Sequence, residues 1–186
     1  MNKYLQDLSI ALQQVDPQYY TWQALNGTNE EYSQSSENNF TSEIIRHFRN
    51  LIINPQNEEF YRGLQLHFDV RKTRTNIQPD IVLHESPNNQ NRQILYCEVK
   101  TNRNANLTTD LDKLFLAISN DLNYKNAVII VINKNLNQTI LQIKNYIESR
   151  YRSEEDLRKL YLFHATSNIS FESRCFFDIS NHYSEI

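Results

Sequence analysis

The sequence predicts an α/β fold in which helices sandwich a mixed central sheet. Three observations carry that expectation. Apolar residues recur at helical spacing in several segments, and three runs of strand character follow one another between residues 64 and 101. Residues 127–132 form a short, wholly apolar run of the kind that fills a central strand covered on both faces. At 186 residues the chain can bury one sizeable core, and no long polar linker divides it. A single domain over 1–186 is therefore expected, with its core at about 38–134.

Leu5, Leu8, Leu12 and Val15 share one helical face, and Pro17 breaks the pattern, which places an opening helix at the start. After the polar stretch 26–38, Phe40, Ile44, Phe48, Leu51 and Ile52 form the stripe of a second helix, capped by Thr41 or Ser42 and stopped before Pro55. Leu64, Leu66, Phe68 and Val70 alternate with polar residues, the period of a strand with two unlike faces. Residues 79–85 and 93–101 read as a hairpin around the turn-rich 86–92 segment. Leu111, Leu114, Phe115, Ile118 and Leu122 make a helix before the apolar strand, and 137–151 makes another. Ser153 with Asp156 resembles a capping box opening a short helix, and 168–179 supplies a last strand. Glycine occurs only twice, so the abundant asparagines are expected to take the left-handed turn positions.

Composition removes several functions. Two cysteines, Cys97 and Cys175, are too few for a disulfide framework and form no C-x-x-C pair. There is no glycine-rich phosphate cradle. No apolar run approaches the roughly 20 residues that cross a bilayer, and the first fifteen are too polar for a secretory signal, so a soluble, cytoplasmic protein with no membrane partner is expected. A net charge of −3 excludes a strongly basic coat protein, and any nucleic-acid contact must come from a local patch.

The informative constellation is Pro79-Asp80 on one hairpin strand and Glu98-Val99-Lys100 on the next. An acid-x-Lys triplet alone means little: with 22 acidic residues and eight lysines in 186 positions, about one is expected by chance. The geometry supplies the specificity. The midpoint between Asp80 and Glu98 falls on Asn89, in the centre of the turn, so a symmetric hairpin opposes the two carboxylates. In that register Ile81 faces Cys97, Leu83 faces Leu95 and Pro79 faces Val99, one apolar surface. The other face carries Gln78, Asp80, Val82 and His84 against Lys100, Glu98, Tyr96 and Ile94.

Carboxylates opposed at about 4.5–5.5 Å repel and call for a compensating partner. A hard divalent cation such as Mg²⁺, which keeps several waters and takes one or two carboxylates, suits them. Lys100 shares the face of Glu98 and adds a fixed positive donor, the combination that phosphodiester hydrolysis requires.

These residues resemble the PD-(D/E)xK nuclease superfamily, also called restriction-endonuclease-like, whose signature is Pro-Asp on one strand and Glu-x-Lys on the next. The resemblance covers about the middle two-thirds of the chain, from the helix before the hairpin through 108–134. It implies a Mg²⁺-dependent endonuclease, with Mn²⁺ as substitute, in which Asp80, Glu98 and Lys100 are catalytic. Asp80 and Glu98 would be metal ligands, joined by the Val99 carbonyl and by Glu43 of the preceding helix. Arg71, Lys72 and Arg74 would stand near the rim of the site and, with Arg46, Arg49, Arg92 and Arg103, could track the phosphate backbone of nucleic acid, DNA above all, while Asp110 and Lys113 on the next helix could reach substrate phosphate. His47 and His84 could titrate nearby, and Tyr96 and Tyr124 could stack on bases. Cutting both strands with so small a core would call for a homodimer. The alternative is a catalytically inactive nuclease-fold protein that binds nucleic acid or another protein. A glycosidase is disfavoured, because Lys100 would keep both carboxylates ionised.

Overall fold

The computed structural model describes residues 1–19, 29–69, 77–85, 92–150, 152–165 and 171–182. Helix α1 (Lys3–Gln13) is capped by Asn2, whose side chain accepts the Leu5 N–H at 3.2 Å, and its Leu5, Leu8 and Leu12 are wholly buried. Helix α2 spans Asn29–Ile52 and presents Phe40, Ile44 and Phe48 to the core. It begins twelve residues before Thr41. The expected cap is therefore mid-helix, where the Thr41 hydroxyl donates to the Glu37 carbonyl one turn back. A short α3 (Glu58–Tyr61) leads to β1 (Gln65–Phe68), β2 (Ile81–His84) and β3 (Gln93–Lys100). Then come α4 (Thr108–Ile118), β4 (Asn126–Ile132), α5 (Leu136–Ser149), α6 (Glu154–Arg158), β5 (Leu160–Ala165), β6 (Glu172–Cys175) and α7 (Phe176–His182).

Among the described residues six strands form one mixed sheet in chain order, β1 to β6. Strands β1, β2 and β3 are successively antiparallel, β3–β4 and β4–β5 are parallel, and β6 returns antiparallel to β5. Helices α4 and α5 are the crossovers that parallel pairing demands. Alternation along the strands builds two cores. Ile81, Leu83, Leu95, Cys97, Val99, Val128 and Ile130 face α1 and α2, whereas Val82, Tyr96, Ala127, Ile129 and Val131 face α4, α5 and α7. Strand β4 is buried at every position, as its unbroken apolar run predicts.

Three expectations are corrected. The run 160–165 is a strand absent from the sequence reading. The expected last strand, 168–179, instead holds the four-residue β6 and then α7, with 166–170 outside the described residues. The hairpin keeps its expected register at Ile81–Cys97, Val82–Tyr96 and Leu83–Leu95, then shifts so that His84 pairs with Gln93 rather than Ile94. The irregularity turns Ile94 into the α1–α2 core, as a bulge does by inserting one unpaired residue.

Candidate functional site

Asp80 lies in a bend just before β2, behind a buried Pro79. Its N–H donates to the Cys97 carbonyl at 3.1 Å, and its side chain accepts the Val99 N–H at 2.6 Å. The paired register ends at Ile81–Cys97, and Asp80 lies close enough to Glu98 for its charge to act on that carboxyl. Burial raises the Asp80 carboxyl above its ordinary range, against the pull of the Val99 N–H and of Lys100 and Lys113.

The Glu98 side chain is 1% exposed. One oxygen accepts the Tyr96 hydroxyl at 2.5 Å, and the other accepts Lys113 Nζ at 2.9 Å. Burial, and then the Asp80 charge, push its carboxyl up to about 7. Tyr96 stands two residues before Glu98 on the same strand face, which is why its hydroxyl reaches.

Lys100 ends β3, with its ammonium 3.6 Å from Glu37 and 3.6 Å from Asp110. Burial works against that charge, but Asp110, Glu37, Asp80 and Glu98 together hold the ammonium above its usual range. Lys113 also lies 3.6 Å from Asp110. Burial raises the Glu37 carboxyl, which Lys100 opposes and Asp80 reinforces. With all groups ionised, Asp80, Glu98, Glu37 and Asp110 outweigh Lys100 and Lys113 by two negative charges.

No protein-family model matches the chain, and neither does any curated protein or solved structure.

The structure thus brings Asp80, Glu98, Lys100, Asp110 and Lys113 together at the carboxyl end of β3. Glu43 is engaged elsewhere, by Arg46 at 2.6 Å and His47 at 3.8 Å, and the carboxylate that α2 sends to Lys100 is Glu37. No sequence signal marks Glu37, because it falls in a polar stretch ahead of the apolar stripe that defines the helix. Val99 meets Asp80 through its N–H. Lys113 is committed to Glu98. Arg103 is exposed on the 101–107 loop, and Arg71, Lys72 and Arg74 lie outside the described residues.

His84 is 3% exposed at the far end of β2, roughly 13 Å along the strand from Asp80, with the His67 ring centroid 5.0 Å away. Tyr96 and Tyr124 are not free to stack on bases. They are 0% and 1% exposed and meet edge to face in the core, at 5.6 Å between centroids.

Proposed function

We propose that the chain is a metal-dependent nuclease that hydrolyses phosphodiester bonds, with DNA as its substrate. The observation that carries the reading is the meeting of Asp80, Glu98 and Lys100 at one end of an antiparallel hairpin, where burial raises both carboxyls, and the Asp80 charge raises Glu98 further, beside an ammonium. The order of α2, three antiparallel strands, α4 and a parallel β4 also suits the restriction-endonuclease-like architecture that Pro79-Asp80 and Glu98-Val99-Lys100 resemble.

The donor set fits a hard divalent cation: its atoms are carboxylate oxygens, and two negative charges stand in excess. Among the described residues no three His, Cys, Asp or Glu side chains form a ready cage. The fit is therefore to an ion that keeps several of its waters, as Mg²⁺ does, with Mn²⁺ as substitute. Asp80 and Glu98 would hold it. A cation there would lower the pKa of water and offset charge developing on phosphorus. Lys100, fixed by Glu37 and Asp110, supplies a directed donor for a phosphate oxygen. The Val99 N–H sets the plane of the Asp80 carboxylate, and the Tyr96 hydroxyl does the same for Glu98.

A second reading, a nuclease-fold module that binds without turnover, draws on Glu98 having both oxygens already occupied by Tyr96 and Lys113. Nicking of supercoiled plasmid separates the two. The hydrolase reading expects nicking in Mg²⁺ or Mn²⁺ that EDTA abolishes, and that Asp80→Ala or Lys100→Ala removes while melting remains cooperative. Equal nicking by wild type and both variants would sink the site assignment, and none by wild type would leave the binding module.

A further inference from the structure

A groove of about 670 Å³ opens on the other flank of α4, walled by the 101–107 loop, the first turns of α4 and the outer face of α5. Its lining is rich in amides, from Asn104, Asn106, Gln142 and Asn145. Beside it stands a tower of rings and guanidiniums. The Phe115 and Tyr146 rings stack at 5.6 Å, Arg150 lies 4.3 Å over Tyr146, and Arg152 lies 4.0 Å over Phe115. One carboxylate, Asp112, serves this pair, meeting Arg150 at 3.2 Å. Among the described residues no carboxylate pairs with Arg152, whose Nη2 donates to the Tyr146 hydroxyl at 3.5 Å.

We infer that this groove holds the phosphodiester backbone of the substrate beyond the cleaved bond, with Arg150 and Arg152 as its phosphate contacts. The identity of the ligand rests on the nuclease reading. The placement rests on continuity: Thr108 and Leu111 line the groove, while Asp110 and Lys113 of the same two turns reach the carboxylate site. A helix with its side chains is only about 10 Å across, so a strand laid over the start of α4 meets both flanks. Arg103 stands exposed on the loop that joins Lys100 to Asn104.

The chemistry agrees. A guanidinium held on a ring loses little further freedom on gripping phosphate oxygens, and both forks keep N–H groups beyond the one that Arg150 gives to Asp112 and the one that Arg152 gives to the Tyr146 hydroxyl. The same stacking covers the rings, so they are not platforms for bases. Amide side chains offer donors and acceptors to phosphate and sugar. The wall is also pre-formed. Lys134, 4% exposed, donates to the Ala105 carbonyl at 3.0 Å and the Arg103 carbonyl at 3.5 Å, and Asn133 donates to the Thr101 carbonyl at 3.4 Å. Charge is graded along the path, from an excess of negative groups at the carboxylate site to an excess of positive ones at the groove.

The test is fluorescence anisotropy with a labelled DNA oligonucleotide over a range of salt, in Mg²⁺, on the Lys100→Ala protein so that the probe stays whole. Adding Arg150→Gln with Arg152→Gln should weaken binding about tenfold, and the slope of log affinity against log salt should fall by about 1 for each arginine removed. Because Arg152 also packs on Phe115, a separate Asn145→Asp protein sets a negative charge in the exposed wall without touching the ring stack, and it should weaken binding as well. Unchanged affinity and slope in both folded variants overturns the groove, and so does a parent protein that binds no DNA. The nuclease reading is scored separately, on wild-type cleavage. DNA held at the groove by a protein that never cuts would remove the hydrolase and keep the groove, whereas cutting that ignores all three substitutions would do the reverse.

Discussion

Glu98 gives the molecule a pH signature that can be worked out in sign. Its carboxyl titrates near 7 in the fold, against 4.5 for an ordinary glutamate. Below about pH 4.5 both folded and unfolded chains hold the proton, and between there and about 7 the unfolded chain loses it first. The folded state then binds more protons, so stability falls as pH rises through that window, by an order of magnitude of about 3 kcal/mol. Asp80 and Glu37 are shifted in the same direction and add to the slope. Metal-free protein should therefore melt lower at pH 8 than at pH 5, and Glu98→Gln, which can still accept the Tyr96 hydroxyl, should flatten the difference in calorimetry in EDTA. Asp80→Asn should melt no lower than wild type in EDTA, since it removes one of two repelling charges; a clear drop would contradict adjacent carboxylates. Lys113 neutralises Glu98 and competes with any cation for the same oxygen. Lys113→Met is thus expected to bind Mn²⁺ roughly tenfold tighter in titration calorimetry, about 1.4 kcal/mol, while its metal-free form melts lower.

At the scale of elements, backbone chemistry and packing give sharper expectations. Asn133 joins β4 to α5 with φ at +63°, and Asn123 precedes β4 with φ at +54°. Both fill the role that scarce glycine leaves open. Asn133→Val should cost about 1–3 kcal/mol in chemical denaturation, and Asn133→Gly much less. Phe163, wholly buried on β5, should cost about 3–5 kcal/mol when cut to alanine. The hairpin register was legible because two independent constraints, the turn centre and the apolar face, agreed at Ile81, Leu83, Leu95 and Cys97. Ser153 was legible as a cap for a comparable reason, and its hydroxyl accepts the Asp156 N–H at 3.1 Å. Strand β5 was not legible, because its six residues follow α6 with a single residue between them and no glycine or proline to mark the change. Nor was the start of α2: residues 29–39 carry no apolar stripe in the sequence, so periodicity had nothing to detect. Glu37 was lost with it.

The whole molecule couples site and stability through mass action. If the carboxylate site binds a cation with a dissociation constant of about 1 mM, roughly 10 mM Mg²⁺ stabilises the fold by about 1.4 kcal/mol, a rise of a few degrees in melting temperature. Wild type should show that rise and Asp80→Ala should not. Among the described residues no helix is long and apolar enough to cross a membrane. The order of the sheet has a further consequence for how the chain is made. Spatial order equals chain order from β1 to β6, so no strand has to be threaded between two already joined. Each strand from β2 onward can therefore add to an open flank of the sheet made by the strands before it, so the sheet can grow from one side without being reopened.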